Sequence, residues 1–143
     1  MSLFQTLSVS ASGMSAQRIR AQLLAENIAN AETTRTETGG PYRRKDVVFA
    51  SAPVQTEFSS ALEAAMEPKG VYVAGILEDN REPERRYLPG HPDADADGYV
   101  AFPRMNPVEE MVDLMNAART YQANVSAISA VKEMIQRSID IVR

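Results

Sequence analysis

No glycine or proline interrupts the chain from Val108 to Arg143. The residues just before that run form a helix start. Asn106 can accept an early backbone N–H, Pro107 suits the first helical position, and Glu109 places a negative charge in the first turn. The pattern predicts one helix of about 37 residues, roughly 55 Å long at 1.5 Å per residue. One apolar stripe along it contains Met111, Leu114, Ala118, Tyr121, Val125, Ile128, Ile135 and Ile139. A second lies on nearly the opposite side, with Val112, Ala123, Ala127, Ala130, Met134 and Ile141.

The N-terminal segment, Ser2 to Asn30, reads as a second long helix. Ser2 and Gln5 fit a capping box, and Asn30 suits a left-handed cap at the other end. Gly13 is its one weak point, and with the alanines it permits close helix–helix approach. One stripe holds Leu3, Phe4, Leu7, Ala11, Met14, Ala21, Ala25 and Ile28; Val9, Ala16, Ile19 and Leu23 lie nearly opposite. A helix at the surface of a monomer needs one buried face, so two faces imply burial between layers. Two long helices cannot bury both faces of each other. Neighbouring chains are the expected cover, the alternative being that alanine, the default helix residue, produces the second stripes through composition alone.

Between the helices, residues 31–105 hold seven of the eight prolines and six of the seven glycines. Val47–Phe49, Val71–Leu77 and Tyr99–Phe102 read as short strands, and Phe58–Met66 as a short helix. Thr33–Gly40 and Leu88–Gly98 read as loops, with Gly39-Gly40-Pro41 a turn signal. The expected fold is therefore α+β: N- and C-terminal helices packed as a coiled coil, with a small β-rich domain between them. The expected divisions are 1–32, 33–105 and 106–143.

Charge separates the same three parts. Residues 1–45 carry net +3, residues 46–110 net −8 and residues 111–143 net +1. The overall charge of −4 argues against general nucleic-acid binding. The absence of cysteine excludes disulfides, thiolate metal sites and cysteine nucleophiles. The N-terminus shows neither the basic segment nor the apolar run of a signal peptide, so the expectation is cytosolic residence or export by a route without a cleaved signal.

The motifs that suggest chemistry are incomplete. Asp93, Asp95, Asp97 and Gly98 copy the front of a calcium loop, but its twelfth position, which needs a bidentate carboxylate, is Arg104. An acidic turn capping its own backbone is the expected structure. His91 is the single histidine and lacks the companions of a zinc site; a turn histidine is expected. Arg43-Arg44-Lys45 is either a solvated basic run or a contact with an acidic neighbour, such as the Glu82, Glu84, Asp93, Asp95 and Asp97 region of another copy. No nucleophile, base and acid converge, so no catalytic residue, metal ligand or cofactor is expected.

Several blocks resemble one family. Ser10–Gln17 with Ala25-Glu26-Asn27-Ile28-Ala29-Asn30, and Asn106–Met115 with Arg119–Asn124, resemble the two terminal signatures of the flagellar rod and hook axial proteins. Thr33–Arg44 and Gly90–Val100 resemble the proximal-rod branch, whereas Thr56–Lys69 does not match. Within those blocks, Asn27, Asn30, Asn106, Pro107 and Asn124 are the motif residues. The resemblance implies paired terminal helices in an inner tube, with a β-rich domain outside. It also implies signal-less export through the flagellar type III apparatus and assembly in the rod spanning the periplasm. Implied partners are further copies, the FlgB and FlgF types, the adaptor FliE and the membrane ring. Expected subunit-packing residues are Leu3, Phe4, Leu7, Met14, Ile19, Leu23 and Ile28 on the first helix. On the last they are Met111, Leu114, Tyr121, Val125, Ala127, Ile128, Met134, Ile135 and Ile139. The expected role is a structural, torque-transmitting subunit. The alternatives are a calcium-dependent binding module or a helical secretion chaperone or regulator.

Overall fold

The computed structural model describes residues 3–53 and 69–142. The order is α1 (Leu3–Ala29), β1 (Lys45–Pro53), β2 (Lys69–Glu78), β3 (Glu84–Tyr87), β4 (Tyr99–Phe102) and α2 (Pro107–Val142). The fold is α+β, as expected. Ser2 of the capping box and the Phe58–Met66 segment fall outside the described residues.

α2 begins as the sequence dictates: Asn106 Oδ1 accepts the Val108 N–H at 3.0 Å, satisfying a donor that the first turn leaves unpaired. α1 ends differently from expectation. Asn30 does not adopt positive φ; instead its Nδ2 donates to the Glu26 carbonyl at 2.9 Å, and its Oδ1 accepts from Thr33 Oγ1 at 3.1 Å. The side chain closes the helix, so no left-handed residue is required. The left-handed residues of the next turn are Gly39 and Gly40, at φ 88° and 77°, where a Cβ would be strained.

The helices pack antiparallel. Gly13 lies against Asn124, Arg20 pairs with Asp113, and Asn27 bonds to Glu110. On α2 the buried positions are Glu110, Ala117 and Val131, which with Asn124 repeat every seven residues, the spacing of a coiled-coil seam. On α1 the seam passes through Ser10, Gly13, Arg20, Leu24 and Asn27. The main apolar stripe of α2 borders this seam, with Leu114, Val125, Ile128 and Ile135 half-buried. Met111, Ala118, Tyr121 and Ile139 are exposed on α2, and Phe4, Ala11 and Ala25 on α1. The intramolecular seam combines buried Leu24 and Val131 with small and polar side chains, and the backbone of α1 comes close to α2 at Gly13.

The adjacent face of α1 carries Ala16 and Leu23, both buried, and sits on the antiparallel β1–β2 hairpin. Val47–Phe49 and Val71–Val73 supply the β-branched and aromatic residues. A register shift between Val48 and Phe49 leaves Ala74 unpaired as a bulge. α1 crosses the hairpin diagonally. At one end Ser12 Oγ accepts the Val71 N–H at 3.0 Å; at the other Asn27 takes both backbone groups of Lys45. Both contacts cover strand-edge groups that would otherwise be open.

β3, absent from the sequence expectation, pairs antiparallel with β4. Val100 and Phe102 turn inward while Tyr87 packs edge-on against Tyr99, centroids 5.4 Å apart. The Arg86 guanidinium lies 4.9 Å over the Phe102 ring.

Candidate assembly surfaces and the junction that orients them

Where the helix pair meets the β region, one amide is fully enclosed. Asn27 has 0% exposure and makes four hydrogen bonds. Its Nδ2 donates to the Lys45 carbonyl at 2.8 Å and to Glu110 Oε2 at 2.9 Å. Its Oδ1 accepts the Lys45 N–H and the Tyr42 hydroxyl, each at 3.0 Å. A primary amide has two donors and two principal acceptor positions, so this one is saturated. A single side chain joins α1, β1 and α2.

Glu110, 3% exposed, is the second member of the junction. Its Oε1 accepts from Arg44 Nε, and Arg44 also reaches Asp46 at 3.2 Å. Burial alone would lower the Arg44 affinity for its proton, but the Glu110 carboxylate beside it outweighs that and raises it. Burial, then the nearby Glu26, Glu110 and Glu78 carboxylates, push the Tyr42 hydroxyl up to about 12. It therefore remains a donor to Asn27. Lys45 Nζ pairs with Glu26, and Arg43 Nη1 donates to Asn80 at 2.7 Å. The basic run is thus largely spent inside the chain: Arg44 and Lys45 are committed to Glu110 and Glu26, so for these two residues neither reading, solvated run or contact with another copy, holds.

The aspartate loop is a self-capped turn. Asp95 Oδ1 accepts the Asp97 and Tyr99 N–H groups at 3.0 and 2.8 Å. Asp93 accepts from Thr34 Oγ1 at 2.8 Å and faces Arg35. His91 Nδ1 accepts the Asp93 N–H at 3.1 Å. These carboxylates are engaged in shaping the loop, and among the described residues no cluster of metal-ligating side chains forms.

Away from its seam, α2 presents two apolar groups to solvent. Val108, Met111, Val112 and Met115 lie over its first turns; Ala123, Ala127, Ala130 and Met134 follow along the outer face. Of the residues expected in subunit packing, Leu3, Phe4, Met111, Tyr121, Ala127, Met134 and Ile139 are exposed. Leu7, Met14, Ile19, Ile28, Leu114, Val125, Ile128 and Ile135 are half-buried, and Leu23 is buried. Asn106 and Pro107 cap α2, Asn30 closes α1, and Asn27 and Asn124 sit in or beside the seam. No helix among the described residues is long and apolar enough to cross a membrane.

A rigid junction, paired terminal helices and large outward apolar faces define a structural assembly subunit. The comparisons specify which. Residues 7–35 match the flagella basal body rod protein model, and residues 96–141 match the flagellar basal body rod FlgEFG protein C-terminal model. The flagellar basal-body rod protein FlgC of Bacillus subtilis is 41% identical, with 99% of each chain covered. That of Borreliella burgdorferi is 37% identical over 100% of this chain and 99% of its own. That of Salmonella typhimurium is 36% identical over 99% and 98%. The chain belongs to the FlgC family of flagellar basal-body rod proteins, structural subunits of the rod.

Proposed function

We propose that this chain builds the proximal rod by burying the outward faces of α1 and α2 against neighbouring subunits. Residues 1–32 and 106–143 form the inner-tube helices in this reading, and residues 33–105 the outer domain. The role is mechanical, not catalytic: the interleaved helices stiffen the tube wall and transmit torque. Neighbours are further copies, the FlgB and FlgF types, the adaptor FliE and the membrane ring. Delivery is through the flagellar type III apparatus without a cleaved signal, into the part of the rod that spans the periplasm.

The observation that carries the reading is the stripe Ala123–Ala127–Ala130–Met134, apolar and exposed on the side of α2 away from its seam. Small residues at that spacing suit close approach by another helix. Ala127→Glu should abolish rod assembly while leaving synthesis and export intact, because an unpaired buried carboxylate costs several kcal/mol in every copy. Arg137→Glu, also on the exposed side of α2, is the milder control. Motility and the yield of rod-bearing basal bodies measure both; normal rods with Ala127→Glu would mean that this face stays in water.

A further inference from the structure

Arg43 and Arg104 face a shallow notch walled by Pro41, Pro83 and Pro103, with Arg81 on its rim. Arg81 is neutralised by Asp79, and Arg44 by Glu110 and Asp46. Among the described residues, Arg43 and Arg104 form no ion pair, although both are exposed; Glu84, whose carboxyl Arg86 holds below the usual range, is close enough to Arg104 for that charge to add to the effect. Arg43 is nevertheless held in place by Asn80. The result is a concave, proline-walled surface, with Asp79 also in its lining, that presents two guanidinium groups outside any ion pair, in a chain of net charge −4.

The complementary charge is on the same molecule. The Asp95-Ala96-Asp97 turn is exposed along its length. It is held rigid by the two backbone N–H groups on Asp95 Oδ1 and by Gly98 at φ 81°. A Cβ at Gly98 would come within 2.9 Å of the Tyr87 ring, so only glycine fits this position. Asp95 Oδ2 and both Asp97 oxygens make none of these turn bonds. A pre-organised turn and a pre-organised notch lose little conformational freedom on meeting, and arginine matches carboxylate geometry closely.

The geometry points to a second copy of this chain as the occupant of the notch, its Asp95–Asp97 turn seated between Arg43 and Arg104. The inference rests on the assembly reading above and adds a contact between β regions to those between helices. The same surface meets a different surface, so the contact repeats head to tail without closing, as an open helical assembly requires.

The test uses cells whose sole source of this subunit is the full-length chain. Arg104→Glu and Asp97→Arg should each reduce the yield of rod-bearing basal bodies to well under half, and the two together should restore most of it. Wild-type yields from both single variants, or a combination no better than the worse single, would overturn the contact. A second readout exploits the absence of cysteine. Chains carrying Pro83→Cys or Ala96→Cys are co-expressed, leaving every charge in place. Mass spectrometry of oxidised basal bodies should find a disulfide joining the two peptides. Basal bodies that contain both chains but lack that bond would also overturn it. A wild-type chain absent from purified basal bodies would overturn the assembly reading together with this one.

Discussion

Gly13 of α1 sits directly against the side chain of Asn124 on α2: a Cβ built on Gly13 would lie 3.2 Å from Asn124 Nδ2 and 3.3 Å from Oδ1. Asn124 is not free to swing away, because its Nδ2 donates to the Thr120 carbonyl at 3.0 Å. Two effects therefore oppose each other in Gly13→Ala. Helix propensity favours alanine by about 1 kcal/mol, and crowding of a tethered amide offsets a similar amount. The expected change in urea unfolding is within about 1 kcal/mol of zero. Asn124→Ala removes the obstacle, so in that background Gly13→Ala should stabilise by close to the full propensity difference. Additive effects across the four proteins would show that the two residues do not meet.

Asn27 is the more sensitive position. Asn27→Ala leaves the Lys45 N–H and carbonyl, the Tyr42 hydroxyl and one Glu110 oxygen without their partner at a buried site. Orphaning even part of that set should cost about 3 kcal/mol. Asn27→Asp should be no better, since it sets a carboxylate beside Glu110 and removes two donors. Chemical denaturation measures both; an Asn27→Ala protein within experimental error of wild type would refute the junction as the source of rigidity.

The two helices and the two strands of the main hairpin, though not their pairing, were legible in sequence because their signals are local: the Asn106-Pro107 cap, the uninterrupted run after it, and the valine-rich segments bounded by turns. β3 was not, since Glu84-Arg85-Arg86-Tyr87 reads as a charged loop; its strand character comes from pairing with Val100 and Phe102. Nor was the seam. The apolar stripe through Leu114, Val125, Ile128 and Ile135 lies beside it and is half-buried, whereas Glu110 and Ala117 are buried and Asn124 meets Gly13. Apolar periodicity marks a face that wants cover, but does not say whether the cover is intramolecular. The family resemblance marks Asn27 as a motif residue, but nothing local identifies it as a hub, because an amide in a helix normally faces water. The nearby Tyr42 and Arg43-Arg44-Lys45 became interpretable only once their partners on α1 and α2 were placed.

Alkaline pH should loosen the same junction. The Tyr42 proton is held up to about 12 in the folded chain, against an ordinary value of 10.0. Between those values the folded state keeps a proton that the unfolded state has lost. The contribution is complete below pH 10 and disappears as pH rises towards 12. Tyr42→Phe lacks that proton, so its stability should decline less steeply across this window. Parallel pH profiles for the two proteins would remove Tyr42 from the account.

Protection of backbone amides should be graded along the helix pair. Near the junction, Asn27, Glu110, Arg44 and Tyr42 tie three elements together, and Leu23 and Leu24 are buried beside them. Further along, the seam is carried by Ser10, Gly13, Asn124 and Val131, and Gln17 Oε1 is buried without a hydrogen-bond partner. Extending the Asn27–Glu110 and Gly13–Asn124 register places Leu3 opposite the turn at Met134, so the last turns of α2 run past the start of α1. Local opening free energies follow buried contacts, and an unsupported helix end frays. In dilute, unassembled protein, hydrogen exchange should therefore be slowest at residues 20–29 and 108–118. It should quicken steadily towards residues 3–10 and 130–142. On incorporation into rods the distal segments should become as protected as the junction, because neighbouring helices then cover the Ala127–Met134 face. Uniform strong protection in a proven monomer would mean that the helix pair is already complete and needs no neighbour; rapid exchange at the distal segments within intact rods would mean that these faces remain in water after assembly.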